Sequence, residues 1–458
     1  MAQVYKFGGT SVDKLDQIVR VIRERYTYDI YVCVSAFSGL TDYLIKIVDS
    51  AVNKKAFSKE DKEYIQEFHM KKIELGLANL DTVRFLQSKW TKFYKLQLPV
   101  LEKAYNSLKR RGYKDTVSHD IIIGFGEQAS AYLLSELVTH EFSKEKITGV
   151  YIDLAEVIKS KYRRANKSFC NELKNKVAKR IAGKKKNLVY IITGIIGRIP
   201  EGILYSIDRG YTDYTGALVS AVLNAETYII FKEVDGVCTG DPRVLKEKCL
   251  LLKELSYTEV LKMASAGMKA INVHAVKPAM QAKIPIEVRN TETPNKQGTV
   301  ILSSRKFDPK SKIQNIACKK GVCIVRYGGY PDKPEDLELI LIKALLKFKL
   351  KKFFSISDDA GTSVVLPYDP IKIEKLKKYL QKFGVVKFNP NCAIVALIGE
   401  EMHNTVGVTA AASAAITKTG ASIYSIAQGA SEVGLDFVID AKYADEAVAN
   451  IHECFFNS

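Results

Sequence analysis

The chain has 458 residues, enough for about three compact units at ~150 residues each, and with 47% hydrophobic and 26% charged residues and only 12 prolines it excludes long disorder and collagen-like repetition. Its 69 basic and 51 acidic residues leave a net charge of +18, yet 54 of the basic residues are lysines spread along the chain, and from Asn391 onward 2 basic residues face 8 acidic ones, so the charge makes no nucleic-acid stripe interleaved with aromatics. Apolar uncharged runs such as 214–225 and 419–431 fall short of the ~18 to 20 residues of a membrane span, and MAQVYKFGGTSV lacks the basic-then-apolar order of a secretory leader, so a cytoplasmic protein with neither membrane nor nucleic acid as partner is expected.

Residues 3–7 read as a short strand running into Gly8-Gly9-Thr10-Ser11, after which Val12, Leu15, Ile18, Val19 and Ile22 recur at helical spacing. Residues 29–34 repeat the pattern and end in Ser35-Ala36-Phe37-Ser38-Gly39, and residues 121–124 are expected as a third strand ending in Phe125-Gly126-Glu127. Between them, 43–111 is charged and helical in period, an excursion from the sheet. The runs 188–193 (LVYIIT) and 227–231 (TYIIF) are apolar and rich in β-branched residues, as strands buried on both faces are. Strands alternating with helices predict an α/β fold with a mostly parallel sheet. A helix is expected over 217–224. Near Leu302-Ser303-Ser304-Arg305 the pattern changes, and two β-α-β-β runs of similar length follow, each closed by a helix, which indicates a duplicated α+β module.

Three segments suit chemistry. In Lys6-Phe7-Gly8-Gly9-Thr10-Ser11, two glycines at a strand-to-helix turn let backbone N–H groups close on an anion, and Lys6 could neutralise a phosphoryl group in flight; a tight structural turn is the alternative. In 205–216 (YSIDRGYTDYTG), one arginine, two aspartates and several hydroxyls precede a helix, a set that suits a carboxylate clamp or a capped helix start. In 234–243 (VDGVCTGDPR), a turn-rich loop after a strand could form the lip of a nucleotide site. Eight cysteines without a CxxC pair and six histidines without an HExxH pattern read as reduced thiols, with no protein-built metal site.

Together these segments resemble the aspartate kinases. The resemblance rests on KFGGTSV, then in order VSAFSGLTD, FGEQAS, DRGYTDYTGA, VDGVCTGDPR, SYTEVLKMASAGMKA and IPIEVRNT, and it covers essentially the whole chain. It implies an amino-acid-kinase three-layer sandwich over 1–304 and a regulatory tandem of ferredoxin-like ACT modules over 305–458. The first module, about 322–388, is inserted after the leading strand of the second, about 313–321 plus 389–458. It further implies ATP- and Mg²⁺-dependent phosphorylation of the β-carboxylate of L-aspartate, the first step towards lysine, threonine and methionine, with lysine or threonine as effector and a homodimer or larger assembly formed through the ACT modules.

Carried over by position, Lys6, Asp213 and Lys269 are the implied catalytic residues, Asp213 organising the two lysines. Ser35, Thr41, Glu127, Arg209 and Thr212 would hold the substrate, with Arg209 on its α-carboxylate and Glu127 on its ammonium. Gly8, Gly9, Ser11, Lys232, Val237, Cys238, Asp241 and Arg243, with Lys6 and Lys269, would hold the nucleotide. Lys6→Ala is expected to abolish most turnover and leave folding intact. The chain departs from the family where many members read GRGGSD and it reads Asp208 to Asp213 as DRGYTD, where Lys232-Glu233 replaces a common Thr-Asp, at Cys238 in place of Tyr, and at Asn272-Val273 in place of His-Pro. An amino-acid-kinase-fold enzyme for another carboxylate and a silent regulatory subunit are the other readings of these residues.

Overall fold

The computed structural model describes residues 2–26, 29–155, 167–181, 187–195, 210–268, 271–305, 313–328, 334–429 and 432–456. The chain forms two units, the first comprising Met1–Val237, Lys253–Tyr257 and Ile271–Arg305, the second Cys238–Leu252, Thr258–Ala270 and Lys306–Ser458.

The first unit is built on an eight-stranded sheet of β1 (Ala2–Phe7), β2 (Asp29–Val34), β3 (Thr148–Ile152), β4 (Leu188–Thr193), β5 (Thr227–Lys232), β6 (Glu254–Ser256), β7 (Ile286–Asn290) and β8 (Thr299–Leu302), in the order β3-β4-β2-β1-β5-β7-β8-β6. Every pairing is parallel except β7 with β8. The strands expected at 3–7, 29–34, 188–193 and 227–231 are its central members, and β1 is buried along its whole length, as a strand covered on both faces must be. Helices α1 (Gly9–Val12) and α2 (Leu15–Glu24) follow β1. After β2 come α3 (Leu40–Val52), α4 (Lys59–Gly76), the 32-residue α5 (Leu80–Arg111) and the 26-residue α6 (Thr116–Glu141). Trp90 of α5, fully buried, stacks on His69 of α4 with centroids 3.9 Å apart and anchors an aromatic cluster that includes Phe93, Tyr94 and Phe125.

Residues 121–124 are not a strand: they lie inside α6, which Asp115 caps by accepting from the Ser118 N–H at 3.1 Å. From Ile122 to Gly126 every residue is buried, so the apolar run shows no helical period, and packing on several sides overrides the β-propensity of three consecutive isoleucines. Helix α7 (Lys167–Ile181) precedes β4, and α8 (Tyr211–Leu223) starts six residues before the expected 217 because Gly210 is its N-cap and accepts from the Tyr214 N–H at 3.2 Å.

The second unit contains the short helix α9 (Pro242–Leu245) and carries an antiparallel six-stranded sheet of β9 (Asn315–Gly328), β10 (Phe354–Asp358), β11 (Gly361–Pro367), β12 (Val385–Ile398), β13 (Ser425–Gln428) and β14 (Gly434–Asp440), ordered β10-β11-β9-β12-β14-β13. The long strands β9 and β12 are each divided in use: Asn315 to Lys320 pairs with the second half of β12, Val322 to Gly328 with its first half and with β11. The division falls at Gly321 (φ +73°) and opposite a bulge between Asn389 and Cys392. Two separate cores result, one including Val325, Leu341, Val364 and Leu376, the other Val395, Ile416, Phe437 and Ile451. No described helix is long and apolar enough to cross a membrane.

Candidate active site

The rings of Tyr5 and Phe7 both pack on Phe231, edge-on at 5.5 Å and stacked at 4.8 Å. By the two-residue period of a strand, Lys6 between them points to the other face, where the first turn of α8 presents Asp213. The Lys6 Nζ lies 2.6 Å from Asp213 Oδ1, and both residues are buried. Helix α8 is held at this height by Tyr228 of β5, whose hydroxyl donates to the Asp213 carbonyl at 3.0 Å. Lys232, at the end of β5, adds a second positive charge. Burial pushes the Asp213 carboxyl up, but the charges of Lys6 and Lys232 outweigh it and hold the group below its ordinary value. Lys232 is pushed down by burial and by Lys6, against the attraction of Asp213. The set is thus two ammonium groups around one ionised carboxylate, a net positive centre in a low-dielectric setting.

A cavity of about 220 Å³ is lined by Gly9, Ser35, Thr41, Glu127, Thr212 and Tyr211, with Ala36, Phe37, Ser38, Gly39 and Asp42. Four of the five residues expected at the substrate therefore meet in one place, although they come from the turn after β2, α3, α6 and α8. Close approach makes this possible: a Cβ on Gly9 would stand 2.9 Å from the Ala36 carbonyl oxygen, and one on Gly126 would stand 2.6 Å from the Ala36 Cβ. The turn is tied down by Ser130, which donates to the Ser35 carbonyl at 2.7 Å, and by Asp13, which accepts from the Ser38 N–H at 3.1 Å and from its hydroxyl. Lys72 of α4 bridges Asp13 at 2.6 Å and Ser38 at 3.0 Å. Nothing in the sequence marks Asp13 or Lys72 for this task, because the contact joins residues 59 apart.

Glu127 is 2% exposed. Tyr211 donates to its Oε1 at 2.5 Å, while Oε2 is buried without a hydrogen-bond partner. Burial pushes the carboxyl up to about 7, against the lowering effects of the Tyr211 hydroxyl and nearby backbone N–H groups.

The remaining expected residues are distributed as follows. A Cβ on Gly8 would stand 3.6 Å from the Lys6 Nζ, in ordinary van der Waals contact, so the turn lies directly against that ammonium. The Ser11 hydroxyl is turned inward, 3.0 Å from the Thr291 hydroxyl and donating to the Phe231 carbonyl at 3.4 Å, which ties α1 to β5 and to the residue that follows β7. Val237 is buried, its N–H donating to Thr299 Oγ1 at 2.8 Å. Cys238, Asp241 and Arg243 belong to the second unit; Asp241 caps α9 and is gripped by Arg243 at 2.6 Å. Arg209 and Lys269 lie outside the described residues. Among the described residues no three His, Cys, Asp or Glu side chains converge where a metal could sit.

A family model described as the amino acid kinase family matches residues 1–290, and one described as an ACT domain matches residues 395–455. The aspartokinase of Saccharomyces cerevisiae is 27% identical over 493 residues, spanning 98% of this chain and 92% of its own length. Among solved structures, Escherichia coli aspartokinase III in complex with aspartate and ADP superposes with a TM-score of 0.79 at 20% identity, covering 100% of both chains. The same enzyme with lysine and aspartate gives 0.74 at 19%, covering 99% of each. At these identities the structural likeness is one of fold.

Proposed function

The chain belongs to the amino acid kinase family, and from that membership we propose that it transfers the γ-phosphoryl group of ATP to the β-carboxylate of L-aspartate, giving 4-phospho-L-aspartate and ADP. The observation that carries this reading is the buried Lys6–Asp213 pair together with a small polar cavity formed by Ser35, Thr41, Glu127 and Thr212. The full-length similarity to an aspartokinase and the fold shared with an aspartate- and ADP-bound enzyme support it.

The attacking atom is a substrate carboxylate oxygen, already ionised at neutral pH, so the chain needs no general base. Its electron pair forms the new O–P bond while the bond from phosphorus to the bridging oxygen breaks, and ADP leaves with that pair. Catalysis then consists of placement and charge stabilisation. Lys6 stands against the transferring oxygens, Asp213 holds its ammonium in position, and Lys232 adds charge from β5. These groups fit a polyphosphate, with the turn at Gly8-Gly9 kept clear of side chains. The magnesium ion carried with the nucleotide, when bound, neutralises phosphate charge. Glu127 takes the substrate ammonium on Oε2, hydroxyls of Ser35, Thr41 and Thr212 meet its oxygens, and Arg209 and Lys269 take the α-carboxylate and the ATP phosphates by family resemblance.

Residues 1–304 are assigned to catalysis and 305–458 to the two ACT modules, the first inserted within the second. The divided use of β9 and β12 and the two separate cores support that assignment. Feedback by lysine or threonine and assembly into a homodimer are assigned to these modules. The test is hydroxylamine-trapped acyl phosphate from L-aspartate with ATP and Mg²⁺, run beside other small carboxylates and with each amino acid added. Product from aspartate alone is expected; none from a folded, ATP-binding protein would overturn the reading. Light scattering at micromolar concentration should give a dimer or larger.

A further inference from the structure

Tyr211 is one of the residues that make DRGYTD unlike the glycine-rich form of that segment, and the reaction as derived leaves it without a task. It is the first residue of α8, 3% exposed, and its hydroxyl reaches Glu127 Oε1 at 2.5 Å across a separation of 84 residues. Both side chains line the same 220 Å³ cavity. Glu127 has one oxygen occupied and the other, Oε2, buried with no hydrogen-bond partner. A buried carboxylate oxygen left in this way is costly unless a donor arrives.

We propose that Tyr211 is a positioning residue for substrate recognition: by fixing Oε1 of Glu127 it stops rotation of the carboxylate and presents Oε2 alone to the α-ammonium of the amino acid. The inference rests on the reading of this cavity as the aspartate site. A glutamate has three side-chain torsions, and without the phenol its carboxylate could turn or retreat towards the backbone N–H groups near it. With the phenol in place only one acceptor faces the cavity, so the ammonium is held in one direction and the β-carboxylate is aimed with it. Orientation of this kind is worth most when the reacting atoms must meet in line.

The test uses the full chain. Tyr211→Phe keeps the ring and removes only the hydroxyl, and melting temperature reports that it has folded. The aspartate KM is expected to rise about tenfold, the value of one hydrogen bond to a charged group, with a smaller fall in kcat and no matching rise in the KM for ATP. Succinate, which is aspartate without the ammonium, is the control: its inhibition constant should stay unchanged. Equal weakening of aspartate and succinate would reduce Tyr211 to a wall of the cavity and overturn the inference, as would an unchanged aspartate KM in an active enzyme.

If Tyr211→Phe alone does not fold, because Glu127 loses its donor, Glu127→Ala is compared with the double variant Tyr211→Phe/Glu127→Ala. Their aspartate KM values should agree, since the hydroxyl has no side-chain acceptor left to position, and a further rise in the double variant would overturn the inference. Wild-type enzyme that makes no acyl phosphate from aspartate would overturn the kinase reading and this inference with it. Wild-type turnover with no Tyr211 effect overturns this inference alone.

Discussion

The Lys6 ammonium lies 2.6 Å from the Asp213 carboxylate, with the two side chains only 9% and 11% exposed. Breaking one half of a buried pair costs up to ~3 to 5 kcal/mol, less here because the charge of Lys232 still acts on Asp213. Lys6→Ala should therefore lower the melting temperature as well as turnover, contrary to the expectation from sequence that folding would be untouched. Lys6→Ala/Asp213→Asn should recover much of the stability and none of the activity. Thermal melts and acyl phosphate rates of the single and double variants check this; a double variant as active as wild type would remove Lys6 from the mechanism.

Glu127 links activity and stability to pH. Its carboxyl is raised from 4.5 to about 7 by burial, so between those values the folded protein holds a proton that the unfolded chain has released. Stability must then fall as pH rises from about 4.5 to 7 and level off above, a total on the order of 3 kcal/mol. Glu127→Gln should flatten this slope in melting temperature. In wild-type enzyme, kcat/KM for aspartate should climb with pH through about 7, because only the ionised carboxylate accepts the ammonium. A flat profile between pH 5.5 and 8 would detach Glu127 from substrate binding.

Gly194, after β4, supports the cavity from behind. A Cβ there would stand 2.5 Å from Thr212 Oγ1 and 2.9 Å from the Val34 carbonyl oxygen. Gly194→Ala is expected to cost about 1 to 3 kcal/mol by overpacking and to raise the aspartate KM by displacing Thr212. Calorimetry together with steady-state kinetics separates the two effects, and an unchanged KM would take Thr212 out of the substrate contacts.

Cys249 should react ahead of the half-buried Cys318 and the fully buried Cys33. A hydrogen bond from Cys238 lowers it to about 7, whereas burial pushes Cys318 up to about 11 and Cys33 up to about 12. At pH 7.5 the thiolate fraction of Cys249 is therefore larger than that of Cys318 or Cys33. Iodoacetamide labelling mapped by mass spectrometry should modify Cys249 long before Cys318 or Cys33; the reverse order would contradict the thiol pairing.

Much of the first sheet was legible because DIYVCV, LVYIIT and TYIIF are short, rich in β-branched residues and mostly apolar, and such runs have few alternatives to a strand buried on both faces. The isoleucines at 121–123 look the same over a short window and sit in a 26-residue helix, because a run buried on several sides loses the period that separates helix from strand. The strands β3 (TGVYI) and β8 (TVIL) carry apolar runs of only three residues, and their pairing partners complete their identity.

The amino-acid sequence by itself determined the alternation of strand and helix and the residue types at Lys6, Glu127 and Asp213, since each depends on local pattern or on a motif contiguous in the chain. Only the tertiary structure decided that Lys6 and Asp213 form a buried pair, that Asp13 and Lys72 hold the Ser38 turn, and that Tyr211 takes one oxygen of Glu127 and leaves the other free. Those relationships join positions 25 to 207 residues apart, and no local pattern encodes them, because they exist only where separate elements are brought to one side of the sheet and water is excluded between them.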